Sequence, residues 1–479
     1  MNNIHQNSSD LKPILSIASI FSKGCLNLKA LLSKAGFSKR SGASVNALFT
    51  TLFESILTGA RTLHDRYSLS GVKEAQCSYS SLMRFASNCR YNWALLMLLM
   101  AKAAIRKCMQ LNDEEHIYTF AVDDSIIERA DSSKVEGLAR LYDHVIHKTV
   151  KAFNNLLITW SDGFTTIPVS SQMVSSRNDK CIIREHNKKI DHRLAGAKRR
   201  ENSKTRKPDL VVKLLRGILN CGIKASHILM DTWFYSDKLV AELKELGLES
   251  ICMIKSNLKF AYTGEALAHT KTQKQLLKVS FKSSPLTESS DILSSVLVQT
   301  KSGQEVKLVF VRNRNNRKEF ITLLSTDTTL SAQTIVELYS RRWSIECCFK
   351  TCKQFLGLDS ECFAHDFDTI TSLNSIAYMR FMVMELLRRN AEDERSHGQL
   401  FRDLCDEVRT IPFIEAIELL MQSFKNLVEE LDKAGCIKDG MKEKALKIAD
   451  SLVSKWYGQI AGFIKKQLSP NHLPHILSV

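Results

Sequence analysis

The chain has no apolar run longer than the nine residues Trp93 to Ala101. That is well short of the roughly 17 to 25 residues a membrane-crossing helix needs, so no membrane span is expected. The start, MNNIHQNSSDLKPILSIASIF, lacks the basic opening, apolar stretch and small-residue cleavage site of a secretory signal, and a cytoplasmic location is expected. There is no GxxxxGK[ST] phosphate loop, so neither an ATP-driven mechanism nor a nucleotide cofactor is indicated. The 13 cysteines include no CxxC pair, which argues against a disulfide framework or a zinc ribbon. Their closest cluster, Cys347, Cys348 and Cys352, lies on a helical pattern without nearby histidines and reads as core.

What is present is a globular chain. Its 479 residues are 44% hydrophobic and 25% charged, and 67 Lys and Arg against 51 Asp and Glu give a net charge of +16. A polyanionic partner such as nucleic acid follows as the expectation. Residues 1–110 read as helices, through Val45, Leu48, Phe49, Leu52 and Phe53 and again through Leu82, Phe85 and Trp93 to Ile105. They form an expected N-terminal DNA-binding region.

Strand patterns follow at His116–Val122, Leu156–Trp160 and Phe164–Val169, the last two flanking a Ser161-Asp162-Gly163 turn. After a helical pattern at Leu210–Leu219, the run Ile228–Met230 ends at Asp231 and should lie parallel to its neighbour. Residues 251–326 read as an inserted β subdomain with strands at Leu277–Phe281, Ser295–Thr300, Val306–Val311 and Phe320–Leu324. A long helix is expected from Ala332 to Phe355, and helices over most of the remainder.

Three carboxylates lie where a scaffold could present them: Asp123 and Asp231 at strand ends and Glu346 on the long helix. Acids brought to one point repel, so their convergence makes sense as a divalent metal site suited to phosphodiester chemistry. On the stretch ELYSRRWSIECCFKTCKQF, Tyr339, Arg342, Glu346 and Lys353 fall at offsets that confine them to an arc of roughly 60° on one helix. Arg342 and Lys353 could grip phosphates beside the carboxylate, with Tyr339 hydrogen-bonding or stacking.

This Tyr-x2-Arg-x3-Glu-x6-Lys pattern resembles the signature of the cut-and-paste DDE transposases of bacterial insertion sequences, insertion-sequence family four. VDDSIIERADSSKVEGLARLYDHVIHKTVKAFNNLLITWSDGFTTIPV and ILMDTWFYS resemble the first and second acidic blocks of that family. The resemblance spans roughly residues 115–360. It implies an α/β fold: an RNase H-like catalytic domain over 111–250 and 327–390, interrupted by the β-rich insertion and flanked by helical N- and C-terminal regions, the latter over 391–479. It further implies Asp123, Asp231 and Glu346 as catalytic metal ligands, and Tyr339, Arg342 and Lys353 as contacts to the transposon end. Two Mg²⁺ ions, with Mn²⁺ as a substitute, and double-stranded DNA as transposon end and target complete the implied reaction. Asp124 is the rival to Asp123, because alternate strand residues point to opposite faces. The second block departs from the frequent Asp-Arg-Gly-Phe, having Thr232-Trp233-Phe234 after Asp231.

Between Arg184 and Lys207 ten basic residues face three acids. Arg193, Lys198, Arg199 and Arg200 are the expected DNA contacts there, against the alternative of a solvated loop. Trp233 and Trp343 are either core residues or platforms for a displaced base. Asp143, His144 and His147 read as the base of a hairpin rather than a metal site. A homodimer on DNA is expected, with Ala445, Leu446, Ile448, Leu452, Val453 and Trp456 as an interface. The alternatives to a transposase are a stand-alone nuclease with the same triad and a transposase-derived repressor without catalysis.

Overall fold

The computed structural model of the chain describes residues 20–21, 26–58, 62–64, 77–112, 116–255, 257–262, 291–313, 319–360, 364–391 and 396–405, with short helical pieces between 429 and 451. Two compact units are present, one of residues 1–56 with 60–398 and one of 57–59 with 399–479. The strand expected at 277–281 and the interface residues Ala445, Leu452, Val453 and Trp456 lie outside the described residues.

In the first unit, helices α1 (Leu28–Lys34), α2 (Val45–Glu54), α3 (Tyr79–Ala86) and α4 (Trp93–Met109) precede the sheet. The side chain of Asn92 caps α4 by accepting from the amide of Leu95 at 3.0 Å. Trp93, Leu96, Met97, Met100, Ala101, Ala104, Ile105 and Cys108 recur at helical spacing and are buried. Trp93 is packed among Phe37, Phe49 and Phe85, and α4 lies against the sheet.

Among the described residues, ten strands form one mixed sheet, so the class is α/β. In chain order these are β1 (Thr119–Glu128), β2 (Ala139–Asp143), β3 (Lys148–Ser161), β4 (Thr166–Val174), β5 (His227–Met230), β6 (Glu249–Ile254), β7 (Ala261–Tyr262), β8 (Ile292–Gln299), β9 (Glu305–Arg312) and β10 (Phe320–Ser325). The spatial order is β2-β3-β1-β5-β6-β10-β9-β8-β7, with β4 also on β3. β1, β5 and β6 are parallel, as a strand returning through a helix should be, and antiparallel pairs flank them. The connecting helices are α5 (Ala195–Ser203), α6 (Lys207–Asn220) and α7 (Asp237–Glu245), and α8 (Ala332–Ser340), α9 (Trp343–Gln354) and α10 (Phe367–Ala391) follow the last strand.

Four expectations change. Strands read as an inserted subdomain extend the same sheet, because β10 pairs antiparallel with β6. From the sequence a hairpin base is expected at Asp143, His144 and His147, where β2 and β3 turn, but no strand over β2 and no helix over α5. Asp123 lies inside β1 rather than at its end. The long helix is broken: at Arg341 and Arg342 the bonds Arg342 N to Tyr339 O and Ile345 N to Arg342 O close tighter turns than those of an α-helix, so Tyr339 and Glu346 stand on different helices.

The expected turn after β3 is present. Asp162 Oδ1 accepts from the amides of Phe164 and Thr165 at 3.0 and 2.7 Å, and Gly163 has φ +100°. A Cβ on Gly163 would stand 3.0 Å from the guanidinium carbon of Arg341, which itself donates to Ile117 O.

Candidate active site

The pairing register places two of the acids. β1 and β5 run parallel with Val122 opposite Met230 as their last pair, and the next residues are Asp123 and Asp231. Neighbouring strands lie about 4.8 Å apart, so the two acids emerge side by side. β1 continues to Glu128 against β3 alone, and the edge vacated by β5 opens a crevice at the carboxyl ends of the parallel strands. This explains why Thr119–Val122 are buried while Asp123–Ile126 are partly exposed.

Each carboxylate is held. Asp123 Oδ1 accepts from the amide of Asp124 at 2.8 Å, and Asp231 Oδ1 accepts from the amide of Trp233 at 2.9 Å. Arg342 joins Asp123 to the third acid. Its Nη1 donates to Asp123 Oδ2 at 3.3 Å and its Nη2 to Glu346 Oε1 at 2.6 Å. Burial raises the Asp123 carboxyl to about 7, and the charge of Asp231 adds to the rise, against the Asp124 amide and Arg342, which favour the ionised form. Among the described residues, no group of three or more His, Cys, Asp or Glu is arranged to hold a metal ion, and Arg342 lies between Glu346 and Asp123.

Asp124 is engaged elsewhere. Lys207, the first residue of α6, donates from Nζ to Asp124 Oδ2 at 2.8 Å and lies 4.4 Å from the centre of the Trp233 ring. Lys207 thus ties β1 to the turn after β5, a role sequence reading missed. It closes the basic run, but its partner is 83 residues away and nothing local marks it.

The signature residues divide by environment. The Tyr339 hydroxyl is buried and has no hydrogen-bond partner among the described residues, its ring lies beside Arg342, and burial pushes it up to about 12. Lys353 is exposed and donates to Ile126 O on β1 at 2.7 Å. Trp233 and Trp343 are 51% and 62% exposed, so neither is a core residue.

Two of the four expected DNA contacts in the basic run are corrected. Arg199 and Arg200 are buried on the inner face of α5. Arg200 grips both oxygens of Glu136 at 2.6 and 2.8 Å and reaches Asp368, while Arg199 donates to Asp368 at 2.7 Å and to Tyr91 O at 2.5 Å. These are ion pairs inside the protein, unable to meet a phosphate. Arg193 and Lys198 are exposed, although Arg193 already pairs with Asp191. The thiols of the Cys347, Cys348 and Cys352 cluster are free, and the last two are buried as expected.

The three acids carry only oxygen donors, the kind a hard divalent cation takes, but among the described residues they are not gathered into a metal-holding group. The Arg342 guanidinium already places positive charge between two of them. No curated protein matches this chain. The family model for DDE superfamily endonucleases matches residues 46–277, which include Asp123 and Asp231, and that for the transposase DDE domain matches residues 196–370, which include Asp231 and Glu346. These domains generally use divalent metals, and the two matches support a DDE transposase, a nuclease-type enzyme with DNA as its substrate.

Proposed function

We propose that the chain is a cut-and-paste transposase of insertion-sequence family four. It nicks a transposon end, uses the released 3′-hydroxyl on the second strand and joins the end to target DNA. The observation that carries this reading is the emergence of Asp123 and Asp231 side by side from β1 and β5, with Glu346 linked to Asp123 through Arg342.

In this reading the parallel strands are the centre of an RNase H-like domain, and Asp123, Asp231 and Glu346 hold two Mg²⁺ ions, for which Mn²⁺ can substitute. When bound, these ions supply the charge that activates the attacking oxygen and stabilises the leaving one. Arg342 keeps the carboxylates of Asp123 and Glu346 close together, Lys207 holds Asp124 aside, and the Asp231 carboxylate is oriented by the Trp233 amide. Lys353 faces the phosphates of the end, Tyr339, whose hydroxyl is buried, would reach them only if it turned outward on binding, and Arg193 and Lys198 extend the basic surface. Two ends must be paired before joining, so the active species is a homodimer on DNA.

The test is purified full chain with its flanking DNA and Mg²⁺. Nicked ends should appear first and joined products later, whereas a stand-alone nuclease would give no joined product and a repressor no cut. Glu346→Gln should keep DNA affinity while cleavage falls by about a thousandfold or more. Normal cleavage by this variant would overturn the assignment.

A further inference from the structure

β2 and β3 form a hairpin that runs on past the carboxylates, and its tip has an unusual composition for a solvated turn. The strands pair from Ala139 opposite Ala152 to Asp143 opposite Lys148, leaving His144, Val145, Ile146 and His147 as the loop. Val145 is 87% exposed and Ile146 and Tyr142 are each 50% exposed. Loops of this kind ordinarily carry Asn, Asp or Gly, not adjacent branched aliphatics. The loop is nevertheless fixed. Asp143 Oδ1 accepts from the amides of Val145 and Ile146 at 2.7 and 3.4 Å, and His147 adopts φ +52°. An ordered apolar tip is therefore presented to the outside.

The charge around it selects the partner. Arg140 and Lys148 are exposed, Arg140 lies opposite the part-exposed Lys151, and Asp143 is the one acid of the hairpin, engaged with the loop amides. A basic ribbon with an apolar end suits a duplex whose backbone it can touch while the tip enters between bases.

The route to it starts at the candidate site. Lys353 holds Ile126, three residues beyond Asp123 on β1, and feels the charge of Asp143 at the hairpin. From Leu157, opposite Asp123, to Lys148 at the hairpin end is nine residues. That is about 30 Å of strand, or about nine base-pair steps.

We propose that the β2–β3 tip is a wedge, in which Val145 and Ile146 enter the minor groove of the cleaved duplex about nine base pairs from the cut and unstack one step. Arg140, Lys148 and Lys151 steady the flanking backbone. This rests on the DNA-processing function proposed above, and it adds a contact that kinks the end toward its major groove, away from the tip.

Permanganate oxidation of unstacked thymines tests it, with full chain, Ca²⁺ in place of Mg²⁺ and end duplexes carrying thymine at each position in turn. The wild-type complex should show one hyperreactive step about nine base pairs from the cut. Val145→Ser with Ile146→Ser should lower that reactivity at least tenfold and weaken binding several-fold, with an unchanged melting temperature because both side chains are exposed. A mismatch built into the same step should tighten wild-type binding and leave the double variant indifferent. The wedge is overturned if bound wild type unstacks no thymine, or if the double variant unstacks as well as wild type. It is equally overturned if the double variant changes oligomeric state with DNA distortion intact, which would make the tip a protein contact. If wild type neither binds nor nicks the duplex, the DNA-processing reading itself fails, and the wedge with it.

Discussion

Val122 on β1 lies opposite Met230 on β5 as the final pair of a parallel ladder, and the chain turns acidic at the very next residue on both strands. A carboxylate one residue earlier would be buried between β3 and β5. One residue later on β1 is Asp124, which is tied to Lys207. The crevice thus receives Asp123 and Asp231 because that is where pairing stops, and their mutual repulsion is what a bound cation would relieve.

The first prediction separates the two neighbours. Asp123→Asn should abolish strand cleavage, because this carboxylate faces Asp231 and Arg342. Asp124→Asn should leave measurable activity, since it removes a partner of Lys207 and not one of Arg342. Nicking of an end duplex by both purified variants decides it, and the reverse order of activities would make Asp124 the metal ligand.

Lys207 gives the second. Lys207→Met keeps the length of the side chain but loses both the 2.8 Å bond to Asp124 and the charge over Trp233. Cleavage should fall about tenfold to a hundredfold, because Lys207 braces the ring of Trp233, whose amide orients the Asp231 carboxylate. The Mg²⁺ concentration for half-maximal nicking should rise, while Lys207→Arg should restore part of the activity. Wild-type Mg²⁺ dependence in Lys207→Met would make the contact merely structural.

How far these residues could be read from the chain depends on where their partners lie. The Asp-Gly turn and the helix leading to β5 are local and appear where the sequence places them, whereas β1 and β3 run well past the expected His116–Val122 and Leu156–Trp160, to Glu128 and back to Lys148. α5 was not seen because its inner face is built from Arg199 and Arg200, inverting the usual apolar pattern. Their partners Asp368 and Glu136 are 169 and 64 residues away. The joining of β10 to β6 is equally invisible, since alternation reveals a strand but not its neighbour. The break at Arg341 and Arg342 left the signature spacing intact while altering what it means in space. Tyr339 precedes the break and Glu346 follows it.

The buried pair gives the third prediction. Burial alone would raise the Glu136 carboxyl, but the nearby His186 imidazole, 3.6 Å away, and hydrogen bonds from Arg200 and the Asn187 amide hold it well below the ordinary glutamate value of 4.5. A carboxyl depressed in the folded chain contributes stability above its unfolded value, and that contribution drains away as pH falls below about 4.5. Glu136→Gln should therefore be less stable at neutral pH and show a shallower loss on acidification. Arg200→Met, which strands Glu136 beside Asp368, should cost about 3–5 kcal/mol. Denaturant melts between pH 3 and 7 check both, and an acid slope unchanged in Glu136→Gln would refute the assignment.

The last prediction concerns the two cations of the signature, which the family resemblance treats alike and the structure does not. Lys353 is exposed beside β1, whereas Arg342 divides its guanidinium between Asp123 and Glu346. A residue that meets a phosphate releases a counterion on binding, so its loss flattens the dependence of affinity on salt by about one unit of slope. Lys353→Ala should do this, with weaker binding at every sequence. Arg342→Ala should leave the salt slope nearly unchanged and instead lower cleavage, because it frees Asp123 and Glu346 from the group that links them. Gel-shift affinities over a range of salt, paired with nicking rates on the same preparations, distinguish the two. If Arg342→Ala flattens the slope as much as Lys353→Ala, Arg342 leaves the carboxylates when DNA arrives and takes a phosphate in their place.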